Sequence, residues 1–250
     1  MRQIKSSAPT QLCDNHEEMS RQAAQRILGA LRERPGLLLC AAGGSTPTRA
    51  YQLLAEHHAR SPDGFGSLRV VKLDEWGGIP MDDPGSCESQ LRAQLVEALR
   101  MSANRYFGFV SDPEDRELEC ARVRQRLVNE GPIDLCVLGL GANGHIGMNE
   151  PGPSLRLSAH VARLAEVSLR HPMLAKSRTA PTYGLTLGMA EILASGEILL
   201  LVSGAGKRQP LQRLMTRELT TEFPASFLWL HPNWTLFCDR DAAEGINLKP

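Results

Sequence analysis

Six short, mostly apolar runs punctuate this chain of 250 residues: LLLCAA at 37–42, LRVVKL at 68–73, YFGFV at 106–110, IDLCVLGL at 133–140, EILLLVSG at 197–204 and WTLFCD at 234–239. All are far shorter than the roughly 20 residues a membrane helix needs. Short apolar runs bounded by turn residues read as strands buried on both faces, and such strands belong to parallel sheets whose crossovers are helices. The stretches between them carry helix signals. Asp14 is placed to cap a helix reaching about residue 34, where Pro35 and Gly36 stop it. Pro47 opens a second helix through about residue 59, and Ser86 caps a third through about residue 99. Further helices are expected near residues 114–129, 184–194 and 207–219, and an extended segment at 158–165. Strands alternating with helices predict an α/β fold with an open, mostly parallel sheet and helices on both faces. No repeat, linker or low-complexity segment interrupts the pattern, so residues 1–250 are expected to form a single domain.

Composition narrows the function. Lysine and arginine number 28 and so do aspartate and glutamate, a balance that points to neither nucleic acid nor a membrane surface as partner. The N-terminus, MRQIKSSAPTQLCDNHEE, has no apolar leader core. The six cysteines, Cys13, Cys40, Cys87, Cys120, Cys136 and Cys238, are scattered without a CxxC pair. That usage fits a reducing cytoplasm, no disulfides and no metal site.

Parallel strands bring their C-terminal ends to one edge of the sheet, so residues distant in sequence can meet there. The run at 37–42 ends in Gly43, Gly44, Ser45, Thr46 and Pro47. Two glycines admit a ligand close to the backbone, two hydroxyls follow, and the next helix offers free N–H groups, an arrangement that suits a phosphate. The alternative is an ordinary capped turn. The run at 68–73 ends in Leu73, Asp74, Glu75 and Trp76. One carboxylate beside an apolar wall can have a raised pKa and act as a base; the plainer reading is a pair of solvated acids. The run at 197–204 leads to Gly204, Gly206 and Lys207, where a lysine near a helix start suits an anion. It lacks P-loop spacing, which excludes an ATPase reading.

The richest strand end is IDLCVLGLGANGHIGMNEPG, residues 133–152. Gly139, Gly141 and Gly144 spell GxGxxG, yet the match follows a late strand and opens no helix, so a dinucleotide site is not expected. Asn143, His145, Asn149 and Glu150 crowd the same turn. A histidine with a carboxylate nearby suits proton transfer near neutral pH.

Together these motifs resemble the hexosamine-6-phosphate isomerase/deaminase family, whose fold is shared with 6-phosphogluconolactonases. The resemblance spans about residues 20–238, carried by AAGGSTP, VKLDEW, DLCVLGLGANGHIGMNEPG, YGLTLGMAEIL, LLLVSGAGK and PASFLWLH. It implies a Rossmann-like sheet of the sugar-phosphate isomerase type. The forms LDEW, NGHIGMNEPG and PASFLWLH look closest to the galactosamine-6-phosphate branch. The resemblance implies that Asp74 moves a proton between C2 and C1, that His145 opens the sugar ring, and that Glu150 supports His145. Gly43, Gly44, Ser45, Thr46 and Lys207 would hold the phosphate. No metal or organic cofactor is implied. Two departures stand out. Asn143 occupies a position where the glucosamine branch has an aspartate, which leaves Glu150 as the expected sole charged partner of His145. Residues 171–183 are shorter than the loop of the glucosamine enzyme that carries a phosphate-contacting arginine, and Arg178 is the candidate for it. No allosteric site is expected.

The expected reaction is conversion of galactosamine 6-phosphate to tagatose 6-phosphate and ammonia. Glucosamine-6-phosphate deaminase is the nearest alternative, because the two substrates differ at one hydroxyl. A lactonase-like hydrolase stands third. A non-enzymatic sugar-phosphate sensor is the reading from another class, and the chain shows neither the helix-turn-helix nor the basic patch such sensors use. The expected partner is a small aminosugar phosphate, with neither nucleic acid nor a membrane; a homo-oligomer is left open.

Overall fold

The computed structural model describes residues 9–248. Residues 1–8, the start of the N-terminal stretch without an apolar leader core, lie outside the described residues. In chain order the elements are β1 (Thr10–Cys13), α1 (His16–Glu33), β2 (Leu38–Ala41), α2 (Ser45–Arg60), β3 (Arg69–Lys72), β4 (Asp74–Gly77), α3 (Cys87–Leu91), β5 (Tyr106–Phe107), α4 (Arg116–Glu130), β6 (Leu135–Gly139), β7 (His160–Ala162), α5 (Glu166–Leu169), β8 (Tyr183–Thr186), α6 (Met189–Leu193), β9 (Glu197–Val202), α7 (Arg208–Met215), β10 (Trp234–Asp239) and α8 (Arg240–Ala243).

Seven strands form one sheet in the order β1-β10-β9-β6-β2-β3-β5, and every neighbouring pair runs parallel. Alternate residues of the central strands feed two separate cores. Leu38 and Cys40 pack with Val123 of α4, Ile192 of α6 and Leu214 of α7. Leu39 and Ala41 pack on the opposite face with Ile27 of α1 and Leu54 of α2. Helices therefore cover both faces, as the apolar runs predict. Each large side chain so buried contributes about 1.5–3 kcal/mol relative to exposure. Strand order reverses between β2 and β6: the chain builds outward through β3 and β5 on one side, and through β9 and β10 on the other. Open α/β sheets bind ligands in the crevice at such a point, beyond the strands' C-terminal ends.

A second sheet of three antiparallel strands, β4-β8-β7, lies beside this crevice. Only Leu73 separates β3 from β4, so the chain passes from one sheet to the other in a single residue. Asp74 opens β4 and pairs with Thr186 of β8.

Several expectations are corrected. Residues 183–186 are strand β8, not the start of a helix; all four are buried between β4 and β7, so tertiary pairing overrides local pattern, and only Met189–Leu193 is helical. Asn15 rather than Asp14 caps α1, accepting from the Glu18 N–H, while Asp14 pairs with Arg240. Of the run at 106–110, only Tyr106–Phe107 pairs as strand. Lys207 sits in a 3-10 turn, Ala205–Lys207, ahead of α7, which ends at Met215. Ser86 does cap α3, but the helix then widens into a π-helical turn at Arg92–Val96.

The last residue of β3, Lys72, is fully buried. Its side chain fits because Gly108, just beyond β5, has none: a Cβ there would stand 2.5 Å from the Lys72 Cβ and 2.8 Å from its Cε. Gly108→Ala is expected to lower stability by about 1–3 kcal/mol, the usual penalty of overpacking, measured by denaturant unfolding.

Candidate functional site

A cavity of about 360 Å³ opens at the switch point between β2 and β6, within the size range of small-ligand sites. Its walls are the turn after β2, the start of β4, the glycine-rich turn after β6, the segment around α5, and Lys207.

Asp74 lines the cavity floor and is almost wholly buried. Burial pushes its carboxyl up to about 6, and neighbouring Glu75 adds to the rise; His145, the Cys87 thiol and Lys72 partly offset it. The Cys87 Sγ donates to its Oδ1 at 3.7 Å. Glu75 differs completely from the solvated acid of the plainer reading. It is fully buried, and its oxygens accept from the Trp76 and Cys87 N–H groups at 2.8 Å, the Glu88 N–H at 2.8 Å and the Lys72 Nζ at 2.6 Å. Four donors leave it no lone pair for a substrate proton. The carboxylate available for that work is Asp74.

Across the cavity, His145 Nδ1 lies 3.4 Å from Glu150 Oε2. Burial works against the Glu150 carboxylate, but hydrogen bonds from His145, Ser168 and Asn143 outweigh it and hold its pKa at about 2. Ser168 Oγ donates to its Oε1 at 2.5 Å and Asn143 Nδ2 donates to its Oε2 at 2.8 Å. Asn143 thus braces Glu150 instead of touching the imidazole; its own Oδ1 accepts the His145 backbone N–H at 3.2 Å. Glu150 is the carboxylate that faces the histidine. Two of the GxGxxG glycines, Gly141 and Gly144, serve packing. A side chain at Gly141 would enter the His145 ring, and one at Gly144, which has φ 89°, would enter the Phe223 ring.

The turn after β2 places Gly43, Gly44, Ser45 and Thr46 on the cavity wall at the start of α2. The Gly44 N–H donates to Gln90 Oε1 at 3.1 Å. Among the described residues neither the Ser45 nor the Thr46 hydroxyl has a hydrogen-bond partner, so both are available to a ligand. Lys207 reaches the cavity from the far side, its Nζ donating to the Leu140 carbonyl at 2.6 Å; burial lowers its pKa.

Arg178 does not line the cavity. Its guanidinium pairs with Asp82 at 2.8 Å and Asp83 at 3.5 Å, and its N–H donates to Asp83. The arginine on the cavity wall is Arg170, whose side chain is 81 % exposed and, among the described residues, has Glu166 as its ion-pair partner, at 3.9 Å. Beside it stands His171, lying against Gly44 and near the Trp76 ring. Its Nδ1 accepts the Met173 N–H. Burial, then the charges of His145 and Lys207, lower its pKa to about 4, so it is a neutral imidazole with its proton on Nε2. Sequence reasoning missed Ser168, Arg170, His171 and Cys87. The one available signal was an Arg-His pair just before Pro172.

One carboxylic acid poised near neutrality, facing a histidine backed by an ionised carboxylate, is a set suited to acid–base chemistry, held in a doubly wound α/β sheet. Comparison with known proteins makes this specific. The chain belongs to the family described as glucosamine-6-phosphate isomerases/6-phosphogluconolactonase, whose model matches residues 14–236. It is 40% identical over 224 residues to the putative deaminase AgaI of Escherichia coli (strain K12), covering 90% of this chain and 89% of that protein. It is 35% identical over 244 residues to glucosamine-6-phosphate deaminase 1 of Bacillus subtilis (strain 168), covering 95% and 98%. The solved structure of a monomeric glucosamine-6-phosphate deaminase superposes with a TM-score of 0.89 at 33% identity, covering 96% of this chain and all (100%) of that one. The 6-phosphogluconolactonase of Trypanosoma brucei, 20% identical, shares the fold, with a TM-score of 0.78 and 98% of this chain covered. Among the described residues no helix is long and apolar enough to cross a membrane.

The buried acid has a measurable cost. The Asp74 carboxyl titrates at about 6 in the folded chain and at about 3.9 when unfolded, so the folded state holds the proton more tightly and loses stability as pH rises through that window. Asp74→Asn, with no charge to bury, is expected to be about 2–3 kcal/mol more stable than the parent at pH 7.5, the difference shrinking below about 0.5 kcal/mol at pH 4. Denaturant melts at the two pH values test this.

Proposed function

We propose that the protein isomerises and deaminates galactosamine 6-phosphate, giving tagatose 6-phosphate and ammonia. The observation that carries this reading is Asp74: a buried carboxyl at about 6 on a cavity whose opposite wall holds the His145–Glu150 pair. Ring opening needs a proton moved from O1 to O5. His145 can carry it on the nitrogen turned from Glu150, and Glu150, ionised at any working pH, steadies the imidazolium. The open chain then has an aldehyde at C1 beside the amine-bearing C2. Asp74 takes the C2 proton and returns it to C1 while one amine proton passes to O1, leaving an imine at C2 and a hydroxyl at C1. Water adds to that imine carbon and ammonia departs, so substrate plus water balances ketose phosphate plus ammonia.

The phosphate is assigned to residues 43–46, Lys207 and Arg170. Ser45 and Thr46 offer unpartnered hydroxyls, and Arg170 offers a guanidinium free of close partners on the cavity wall. Arg178 is released from that role, because Asp82 and Asp83 already occupy it. The galacto epimer is favoured by the sequence forms LDEW, NGHIGMNEPG and PASFLWLH and by Asn143 in place of an aspartate. Glucosamine 6-phosphate is the second reading, supported by the similarity to glucosamine-6-phosphate deaminases. The small molecule is the proposed partner, and the cytoplasm the proposed site of action.

Ammonia release measured side by side on galactosamine 6-phosphate, glucosamine 6-phosphate and their N-acetylated forms tests the reading. Turnover of the first is expected to exceed the others, and no ammonia from any would refute it. On the good substrate, kcat/KM is expected to fall about tenfold per unit below about pH 6, as Asp74 takes up its proton. Arg170→Ala is expected to raise KM about tenfold or more through loss of a charged phosphate contact, with Arg178→Ala within about twofold of the parent; steady-state kinetics on both variants decides between the two arginines.

A further inference from the structure

The most unusual group outside the cavity is the Lys72 ammonium. It is fully buried and lies between two carboxylates, 2.6 Å from Glu75 Oε2 and 2.7 Å from Glu88 Oε2. Glu88 is itself buried and takes two more donors, the Tyr106 hydroxyl at 2.8 Å and the Arg92 Nε at 2.7 Å. Lys72 and Arg92 thus balance Glu75 and Glu88, two charges against two. Burial works against the ammonium, but the two carboxylates outweigh it and keep lysine charged; the same ammonium keeps Glu88 ionised against its own burial. A buried ion cluster of this size does not by itself favour stability, since well-packed apolar residues often do as well. It sits directly beneath the base, joined to it by one residue.

The groups facing Asp74 can be named from every side. Glu75 adjoins it on β4, Lys72 comes from β3, the Cys87 thiol from α3, and His145 from the turn after β6. Cys40 of β2 and Tyr51 of α2 also lie near, but burial pushes both of their pKa values up and leaves them uncharged. Of Glu75, Lys72 and His145, only His145 lines the cavity. Glu75 is fixed in place by three backbone donors. The adjustable part of the field is the Lys72–Glu88 pair.

We propose that Lys72 and Glu88 are positioning residues that act on Asp74 through Glu75, setting the charge balance beneath the base and so the pH range over which it is ionised. Lys72 neutralises Glu75, and Glu88 limits how far it does so. Removing the cation leaves uncompensated negative charge under Asp74 and makes its proton harder to lose. Removing the Glu88 charge has the opposite sign. This rests on Asp74 being the base assigned above.

The test is a carbon-13 NMR titration of the Asp74 carboxyl in the unliganded protein, run beside the acid limb of kcat/KM. Glu88→Gln is expected to lower both midpoints by at least about half a pH unit, and Lys72→Met to raise both by at least as much, the shift that one charge about 6 Å away exerts even at the dielectric of water, about 80. The double variant Lys72→Met/Glu88→Gln, in which the lost charges cancel, is expected to return toward the parent. If Lys72→Met does not fold, Glu88→Gln and the double variant still decide the matter. Midpoints that stay put in the folded variants, or that move in the same direction for both single changes, would overturn the proposal, because a merely structural role lowers kcat or stability without opposed shifts. The NMR arm needs no substrate. A moving carboxyl midpoint in a protein that releases no ammonia would uphold the tuning and sink the proposed reaction. A fixed midpoint with good turnover would do the reverse.

Discussion

The Glu75 carboxylate accepts hydrogen bonds from three backbone N–H groups and a buried ammonium, and much of the site's geometry hangs on it. Two of those N–H groups begin α3 and one belongs to β4, so a single side chain ties the second sheet to the helix behind the base. The same contacts bring Cys87 to the Asp74 oxygen. A charged acceptor with four donors is stronger than a neutral turn, and it fastens α3 to a strand that has left the parallel sheet. The residue beside the base is thus a clamp.

Asp74 and Glu150 show how one cavity gives two carboxylates opposite behaviour. Both are largely buried, and burial alone would raise both. Glu150 escapes because three side chains donate to it; Asp74 has only a weak thiol donor and a negative neighbour. Pairs whose environments push their pKa values apart mark the acid–base assignments of an active site. Asn143 fits this logic. As an amide it donates to Glu150, which an aspartate could not do, so the substitution that looked like a loss for His145 is a gain in bracing for the carboxylate behind it.

The large sheet was legible because its central strands are unbroken apolar runs, and a strand buried on both faces needs nothing else to be recognised. Of the small sheet only β7, within the extended segment expected at 158–165, was legible. DEWG and YGLT are short, polar or glycine-bearing, and they pair with each other across more than a hundred residues. The site was legible where chemistry sits at strand ends: Asp74, His145, Glu150 and the turn at 43–46 all face one cavity. It was illegible where a role depends on a remote partner. Nothing near Arg178 announces that Asp82 and Asp83 hold it, and nothing near Arg170 announces a cavity wall. Glu75 beside Asp74 looked interchangeable with it, because the lysine and helix that separate their roles come from other elements.

The passage from β3 to β4 through Leu73 alone has a further meaning. Asp74 and Glu75 adjoin on β4 and point to opposite sides, as the pleat dictates, while the change of sheet at Leu73 brings Lys72 to Glu75 rather than to the cavity. One residue inserted at Leu73 would turn Glu75 into the cavity and Asp74 into the cluster beneath, exchanging clamp and base without altering the composition of either. What this segment transmits from ancestor to descendant is therefore a count as much as a set of side chains, and a relative that kept every acid while losing that count would keep the fold's chemistry in the wrong place.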